Sequence, residues 1–380
     1  LTRARISRPF ELDGGRVSFL TGNRLESDAD LTLQNLTVMG HLSLHWADIH
    51  GDLWCTHTRV ESANGHLAFD GGDLTVKGRM LMNGFRATGG VSLQSARIKG
   101  DLDLRKSHFL NPDGCSIDAS HILVEGEVIC KSNPDSEADR FTSRGQFCLR
   151  RAKVRSLRLT GGRVVNNHGT ALMADEIQVE DAVLLNDGFE SHGKVSLVGA
   201  TVDELHCTRG TFRSHAVGSP ALEAERLCAG DVHFDRTFNA TGEVRIVGAR
   251  LSRQLNCTKG TFTNPHGYAL DADELQCGGD VFLNEGFSAQ GQVRLNEAEI
   301  ARELNCTGGH FGNVYGTALC ADGVEVRGST FLDRGFQADG GPGSHDRQSD
   351  VNWSAPEENS SGTTTWPWIS VGWWPMATCC

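Results

Sequence analysis

The chain contains an internal repeat of 49 residues. The stretch GDVFLNEGFSAQGQVRL at 279–295 has a near-copy, GDVHFDRTFNATGEVRI, at 230–246, and a looser copy, DAVLLNDGFESHGKVSL, at 181–197. A fixed period of this length is typical of solenoid proteins, in which each structural unit stacks on its neighbour. The repeat therefore predicts one series of stacked coils for most of the 380 residues, rather than several globular domains.

The apolar residues within a repeat indicate that the coils are made of strands. Between 275 and 306 they come in pairs spaced by two, such as Leu275 with Cys277 and Val281 with Leu283. Spacing of two is strand periodicity, and Gly, Asn or Asp between the pairs marks corners. Eight pairs fit in one repeat, which favours four sides per coil and two coils per repeat. The sequence thus predicts an all-β, parallel β-helix of about thirteen four-sided coils, each of roughly 24 to 25 residues.

Two sets of residues, one of phenylalanines and one of alanines, recur at fixed positions of the repeat along the chain. Phenylalanines recur every 48 or 49 residues and predict an internal aromatic ladder: Phe141, Phe189, Phe238, Phe287 and Phe336. Small alanines extend the register towards the beginning: Ala47, Ala96, Ala152, Ala200, Ala249 and Ala298. The interval between Ala96 and Ala152 is longer than the others, and the polar, proline-containing stretch at 131–145 accounts for the surplus. We expect a loop inserted there at a corner.

The chain divides by composition into three parts. Residues 1–13 form an N-terminal segment or cap, 14–340 the solenoid, and 341–380 a largely irregular tail rich in Ser and Thr. Three hypotheses account for the tail: a cap on the exposed last coil, an element that lies in a membrane interface, or an end introduced by a frameshift or by cloning. The tail holds five of the seven tryptophans: Trp353, Trp366, Trp368, Trp373 and Trp374.

The twelve cysteines favour a reducing compartment. Cys55, Cys207, Cys257 and Cys306 share one repeat position, so neighbours in the column stand about 9 to 10 Å apart if each repeat makes two coils. A disulfide needs Cα atoms within about 7 Å. We therefore predict buried apolar thiols in a cytoplasmic protein.

Charge and motifs argue against several functions. A formal net charge of −12 disfavours a specific nucleic-acid binder. The nearest approach to a phosphate loop, GFESHGKV at 188–195, is explained by the repeat, because Gly242 and Gly291 recur at the position of Gly193. His41 and His45 lie about 13 Å apart along one strand, too far to share a zinc ion. His50, Cys55 and His57 could still meet across a corner, but surface histidines beside a buried cysteine are the favoured interpretation. We therefore predict no catalytic residue, no cofactor and no metal site.

Repeated carboxylates are the remaining candidate for chemistry, since parallel β-helices can carry paired acids for glycoside hydrolysis. The repeat positions favour an architectural role instead, at corners where Asp bonds the backbone. These acids form two columns, one of Asp175, Glu225, Asp273 and Asp322 and one of Asp231 and Asp280.

One break in the repeat stands out as a candidate binding surface. The stretch LRRAKVRSLRLTGGRVV at 149–165 directly follows the inserted loop, and no acid occurs between Arg144 and Arg163. Apolar residues take the inward positions: Phe147, Leu149, Ala152, Val154, Leu157 and Leu159. Five cations are left outward as a basic belt: Arg150, Arg151, Lys153, Arg155 and Arg158. The belt is suited to phosphate, lipid headgroups or an acidic partner, although acids of neighbouring coils could also balance it.

The repeat, GDVFLxxGFxAxGxVRLxxAxIxxxLxC followed by GGxFxNxxGxALxAD, resembles a group of bacterial, chiefly actinobacterial, repeat proteins that are often named membrane-associated oxidoreductases. They are related in style to pentapeptide-repeat solenoids. The resemblance covers about residues 14–340 and implies a right-handed β-helix with possible membrane association. The oxidoreductase name brings no motif that maps onto a residue of this chain.

Taken together, the sequence predicts a non-catalytic repeat scaffold or binding protein. The expected partner is a protein or an anionic membrane surface, the latter reached from the cytoplasmic side, and end-to-end self-association is a further possibility because solenoid ends expose sheet edges. Two alternatives stay open: an oxidoreductase with an unrecognised cofactor site, and a carbohydrate-active β-helix enzyme.

Overall fold

The computed structural model describes residues 1–62, 66–214, 216 and 218–341, together with the backbone of 351–352 and 369–371. The Trp-rich part of the predicted tail, with its five tryptophans, lies outside the described residues. The chain divides into two compact units, Leu1–Ala224 (unit 1) and Glu225–Cys380 (unit 2). The predicted all-β solenoid is confirmed, with about thirteen coils of parallel strands.

In unit 1 the strands form two sheets, each made of parallel strands. We call these sheets the first and the second face. The first face contains Arg5–Ile6, Phe10–Asp13, Glu26–Ser27, Leu31–Gln34, Asp48–Ile49, Leu53–Trp54, Thr75–Val76, Met80–Leu81, Arg97–Ile98, Leu102–Asp103, Leu123–Ile129, Lys153–Arg158, Gln178–Val179, Ala182–Leu184 and Glu204–His206. The second face contains Arg16–Val17, Leu20–Thr21, Thr37–Val38, Leu42–Ser43, Arg59–Glu61, Leu67–Asp70, Arg86–Thr88, Gly90–Ser92, His108–Asp118, Thr142–Cys148, Arg163–Met173, Glu190–Ser196, Thr211–Arg213 and Pro220–Glu223.

Unit 2 repeats the same arrangement, but its first face consists of two sheets. One sheet has five strands, Cys228–Ala229, Arg250–Leu251, Gln276–Cys277, Glu299–Ile300 and Glu325–Val326. The other contains Asp231–His233, Leu255–Asn256, Val281–Phe282, Leu304–Asn305, Thr330–Leu332 and Ile369–Val371. Its second face contains Asn239–Thr241, Glu243–Arg245, Thr261–Asp271, Ser288–Arg294, His310–Asn313, Leu319–Cys320, Gln337–Gly340 and Val351–Asn352.

Each coil has four sides, as the paired apolar residues predicted. One coil runs through Asp48–Ile49, Leu53–Trp54, Arg59–Glu61 and Leu67–Asp70, and Thr75 then pairs in parallel with Asp48. The short strands alternate buried and exposed residues, so one side chain of each pair enters the core. The twelve inward residues predicted between 275 and 306 are all buried.

In unit 2 the coil length alternates, which the sequence did not predict. In unit 2, Val232 pairs with Leu255, 23 residues on, and Leu255 pairs with Val281, 26 residues on. The expected 24 to 25 residues are the mean of a short and a long coil. The additional residues of the long coil lie in a turn on the second face, for example between Thr263 and Tyr268, where the strand register shifts.

The aromatic ladder is denser than the sequence predicted. In unit 2 the Phe262 ring lies between those of Phe238 and Phe287, with ring centroids 5.1 and 5.2 Å apart, and Phe311 continues the ladder at 5.0 Å from Phe287. The predicted Phe336 is half-buried and closes the series at 5.4 Å from Phe311. Every coil of this ladder therefore contributes a ring, and burying each fully enclosed ring stabilises the stack by about 1.5 to 3 kcal/mol.

Among the repeated acids, Asp175, Asp273 and Asp280 bond the backbone, as expected. Glu225 and Asp231 instead pair with the side chains of Arg245 and Arg253. Asp280 Oδ1 accepts a hydrogen bond from the Glu303 amide at 3.0 Å, and Asp273 Oδ1 accepts one from the Asn296 amide at 2.9 Å. The amide in each case belongs to the next coil, so the carboxylate connects two coils. These carboxylates are part of the architecture.

The inserted stretch at 131–145 leaves the first face after Leu123–Ile129 and contains a 3-10 helix at Glu137–Asp139. Arg140 anchors it, since its side chain is almost fully buried. Nε donates to the carbonyl oxygen of Gly161 at 2.8 Å, and Nη2 donates to that of Gly188 at 2.7 Å and lies 3.2 Å from Glu190 Oε1. A charged side chain thus fixes the loop against the coils that follow it.

Candidate functional site: the basic belt and a row of asparagine-glycine loops

The basic belt lies on the strand Lys153–Arg158 and the corner before it. All six residues predicted to point inward are buried. Arg150, Arg151, Lys153 and Arg155 are exposed, and Arg158 is half-buried. The alternation of the strand therefore places the cations outward, as the pattern predicted.

Acids of neighbouring coils pair with three of the five cations. Arg151 Nε donates to Glu176 Oε2 at 2.8 Å, and Arg158 Nη2 donates to Glu127 Oε1 at 2.8 Å. Arg155 Nε lies 3.9 Å from Asp181 Oδ2. Within the described part of the chain, Arg150 and Lys153 form no ion pair. Two unpaired cations therefore remain for an external anion.

A second surface feature is a row of turns on the second face, which we call the Asn-Gly loops. Each has the sequence Asn-x-x-Gly and belongs to a long coil. The four that the structure describes completely are 111–114 (NPDG) and 166–169 (NNHG) in unit 1, and 264–267 (NPHG) and 313–316 (NVYG) in unit 2.

The asparagine closes each loop in the same way. Its side-chain amide donates to the carbonyl oxygen four residues further on, at 2.8 to 2.9 Å in all four loops: Asn111 to Cys115, Asn166 to Thr170, Asn264 to Tyr268 and Asn313 to Thr317. This bond replaces the strand hydrogen bonds that the turn interrupts, and it explains why Asn is common to all four.

A glycine of the next coil makes room for three of the loops. Gly145, Gly193 and Gly291 have φ of +112°, +110° and +122°. A Cβ on Gly145 would lie 2.1 Å from the carbonyl oxygen of Asn111, and one on Gly291 would lie 2.2 Å from that of Asn264. Only glycine tolerates both the conformation and the close approach. Gly193, the residue that gives 188–195 its likeness to a phosphate loop, thus supports a loop and lies in the strand Glu190–Ser196.

In unit 1 the space between two loops is an open cleft. It has a volume of about 460 Å³, and its lining residues are Pro112, Asp113, Gly114, Cys115, Gln146, Asn166 and His168. The Cys115 thiol donates to the carbonyl oxygen of Ile117 at 3.1 Å, and burial raises its pKa to about 12. The thiol is therefore protonated at neutral pH and unsuited to nucleophilic chemistry.

In unit 2 the corresponding loops touch each other. The rings of His266 and Tyr315 lie 4.9 Å apart with an interplanar angle of 33°. The guanidinium carbon of Arg294 lies 4.7 Å from the centre of the Tyr268 ring. Tyr315 is 68% exposed and Tyr268 is 36% exposed, so both tyrosines of the chain lie at the surface of these loops.

The cysteine column is buried, as predicted. Cys55, Cys207, Cys257 and Cys306 have no exposed surface. Burial raises the pKa of Cys55 and Cys306 to about 12. These residues therefore pack as small apolar side chains.

The histidines of the stretch 41–57 have separate partners. His45 Nδ1 lies 3.1 Å from Asp70 Oδ1, His50 Nε2 lies 2.8 Å from Lys77 Nζ, and His41 stacks on Phe19 with ring centroids 6.3 Å apart. No group of three His, Cys, Asp or Glu residues in the described ranges is arranged to hold a metal ion. Within those ranges, no helix has the length and apolar character needed to cross a bilayer.

No family model, curated protein or solved structure matches the chain.

The Asn-Gly loops are the feature that the sequence interpretation missed. Their signal is the recurrence of Asn-x-x-Gly at Asn264 and Asn313, 49 residues apart, and at Asn111 and Asn166 on either side of the inserted stretch. The apolar periodicity hides it, because the loops lie between core positions and change only the coil length.

Proposed function

We propose that this chain is a non-catalytic repeat scaffold that binds a protein partner through its Asn-Gly loops. The proposal rests on a contrast within these loops between the frame, which is the Asn and the Gly, and the tips, which are the two residues between them. The Asn and the Gly are the same in all four, whereas the two residues between them are Pro-Asp, Asn-His, Pro-His and Val-Tyr. A constant frame with variable tips is what a binding surface on a rigid scaffold requires.

The exposure of the tips supports the same function. Asp113, His168, His266 and Tyr315 are all exposed. The corner acids and the loop asparagines, in contrast, use their oxygens and amides within the protein. The tips therefore have polar and aromatic groups to offer a partner, and changing them leaves the frame intact.

Tip variants test the proposal. One variant carries Pro112→Ser with Asp113→Ser, and a second carries Val314→Ser with Tyr315→Ser. The matched control, Lys99→Ser with Glu125→Ser, changes exposed residues of the first face. The full chain and each variant are used to capture binding proteins, and circular dichroism verifies the fold. We expect the tip variants, and not the control, to lose specific partners; equal capture by all of them would refute the proposal.

An anionic membrane surface is the second candidate partner, because Arg150 and Lys153 are exposed and form no ion pair in the described structure. Co-sedimentation with anionic liposomes tests it. Changing Arg150 and Lys153 to Ser should abolish pelleting, whereas changing Arg151 and Arg155, which face Glu176 and Asp181, should reduce it less. If the unchanged chain does not pellet, this candidate fails.

A further inference from the structure

The second face of unit 2 carries a group of exposed aromatic and apolar side chains: His266, Tyr268, Val314 and Tyr315. Val314 and Tyr315 are 63% and 68% exposed. Both lie at the tip of one Asn-Gly loop, and His266 stacks on Tyr315 from the preceding loop. Exposed tyrosines of this kind are typical of interaction hot spots, because they offer a large, rigid contact area at little entropic cost.

An interaction within the protein indicates which kind of group these tyrosine rings bind. Arg294 places its guanidinium over the Tyr268 ring at 4.7 Å and also pairs with Asp273. A cation is attracted to the negative face of an aromatic ring, and Arg stacks on such a ring more readily than Lys because its guanidinium is flat. The Tyr315 ring is more exposed than that of Tyr268 and lacks an equivalent arginine among the described contacts.

The surrounding charge favours a basic ligand. Between residues 225 and 341 the sequence holds sixteen acids and ten lysines and arginines. Asp339 pairs in register with Gly312, directly before the loop that carries Tyr315, and its side chain is 76% exposed. Its carboxylate lies 3.8 Å from His310 Nε2. A partner arginine on Tyr315 would thus have an accessible carboxylate on the neighbouring strand.

We propose that this surface binds an arginine-rich segment of a protein partner, with one arginine stacked on Tyr315 and held by the carboxylate of Asp339. The inference rests on the proposed function in that it names the chemistry of a partner bound by the Asn-Gly loops. The exposed ring supplies the selectivity for arginine, and the acidic surroundings supply attraction at long range.

Fluorescence anisotropy with a labelled peptide of alternating Arg and Ser tests the inference on the full chain. Tyr315→Ala should weaken binding at least about tenfold, whereas Tyr315→Phe, which keeps the ring, should change it less than about threefold. Replacing Arg by Lys in the peptide should also weaken binding, because the ammonium lacks the flat guanidinium face.

Matched variants separate the site from general attraction between opposite charges. Asp339→Asn should weaken binding more than Glu299→Gln, which removes an exposed acid from the first face. Phe19→Ala, which removes a 66% exposed ring from unit 1, should leave binding unchanged. Circular dichroism verifies that each variant is folded.

Three results would overturn the inference: no peptide binding at millimolar concentration, equal binding of Tyr315→Ala and the unchanged chain, or preference for a neutral saccharide over the peptide. If the peptide fails to bind while the tip variants still lose captured partners, the arginine assignment fails and the proposed function stands. If the tips affect neither readout, both fail.

Discussion

The carbonyl oxygen of Asn166 occupies the place where a side chain on Gly193 would begin. An ideal Cβ at residue 193 would lie 2.4 Å from that oxygen, and Gly193 has φ of +110°. The loop in one coil thus depends on a missing side chain in the next, and this dependence recurs for Asn111 with Gly145.

Gly193→Ala is therefore expected to destabilise the fold by at least about 2 kcal/mol, since it adds a backbone clash to an unfavourable φ. Gly199→Ala is the matched control. Gly199 also has a positive φ, of +64°, but the nearest atom to its Cβ would be 3.7 Å away, so we expect a loss of only about 1 kcal/mol. Urea unfolding of both variants measures the difference, and equal losses would contradict the close approach.

Removing the anchor of the inserted loop should be costly. In Arg140→Ala, Glu190 and the carbonyl oxygens of Gly161 and Gly188 lose their common partner in a buried site, and we expect a loss of about 3 kcal/mol. Arg144→Ala removes an exposed arginine nearby and should cost less than about 0.5 kcal/mol. Thermal unfolding and limited proteolysis within 131–145 report on both variants. An Arg140→Ala chain as stable and as resistant as the parent would refute the anchoring role.

Asp271 should make stability depend on pH. Burial, followed by the nearby carboxylate of Asp273, raises the pKa of Asp271 above its usual value near 3.8. The folded state thus holds this proton more tightly than the unfolded chain, so stability is lost as pH rises from about 3.8 through the folded pKa.

Asp271→Asn is therefore expected to stabilise the protein at pH 7, and the gain should shrink as the pH falls towards 4. Urea titrations at several pH values measure it. The control is Asp333→Asn, which changes a carboxylate that is only partly buried. A gain from Asp271→Asn that is the same at every pH would show that the carboxyl is ionised alike in both states.

The column of thiols should be unreactive in the folded protein. Cys55 and Cys306 are fully buried, with pKa values of about 12, and thiolate is the reactive form. In a chain with Cys379→Ser and Cys380→Ser, a disulfide reagent at pH 8 should modify these thiols only as fast as the protein unfolds. Rapid modification of Cys55 or Cys306 under native conditions would contradict their burial.

Much of the fold was predictable because the core repeats. The spacing of Val281 with Leu283 is set by the strand, and a fixed period repeats it in every coil, so the four-sided solenoid follows. The alternation of coil length was not predicted, since the loop at 264–267 lies outside the apolar register. The 49-residue period that relates Phe287 to Phe336 does not reveal the density of the Phe ladder, because Phe262 and Phe311 belong to the other coil of each repeat.

Less of the candidate site than of the fold could be predicted from the sequence. Sequence alone placed the cations of the belt outward but could not give the partners of Arg151 or Arg158, because Glu176 and Glu127 come close only when coils stack. The contact of His266 with Tyr315 likewise joins residues 49 positions apart. Pairings between coils depend on side-chain reach, which periodicity does not encode.

Photo-crosslinking can show whether the loop tips bind a partner. A benzophenone side chain is placed at Asp113, His168 or Tyr315, or at Lys99 or Glu125 of the first face as controls, and the full chain is irradiated with its captured partner. We expect crosslinks from at least one tip position and none from Lys99 or Glu125. Crosslinks only from the first-face positions would contradict this expectation.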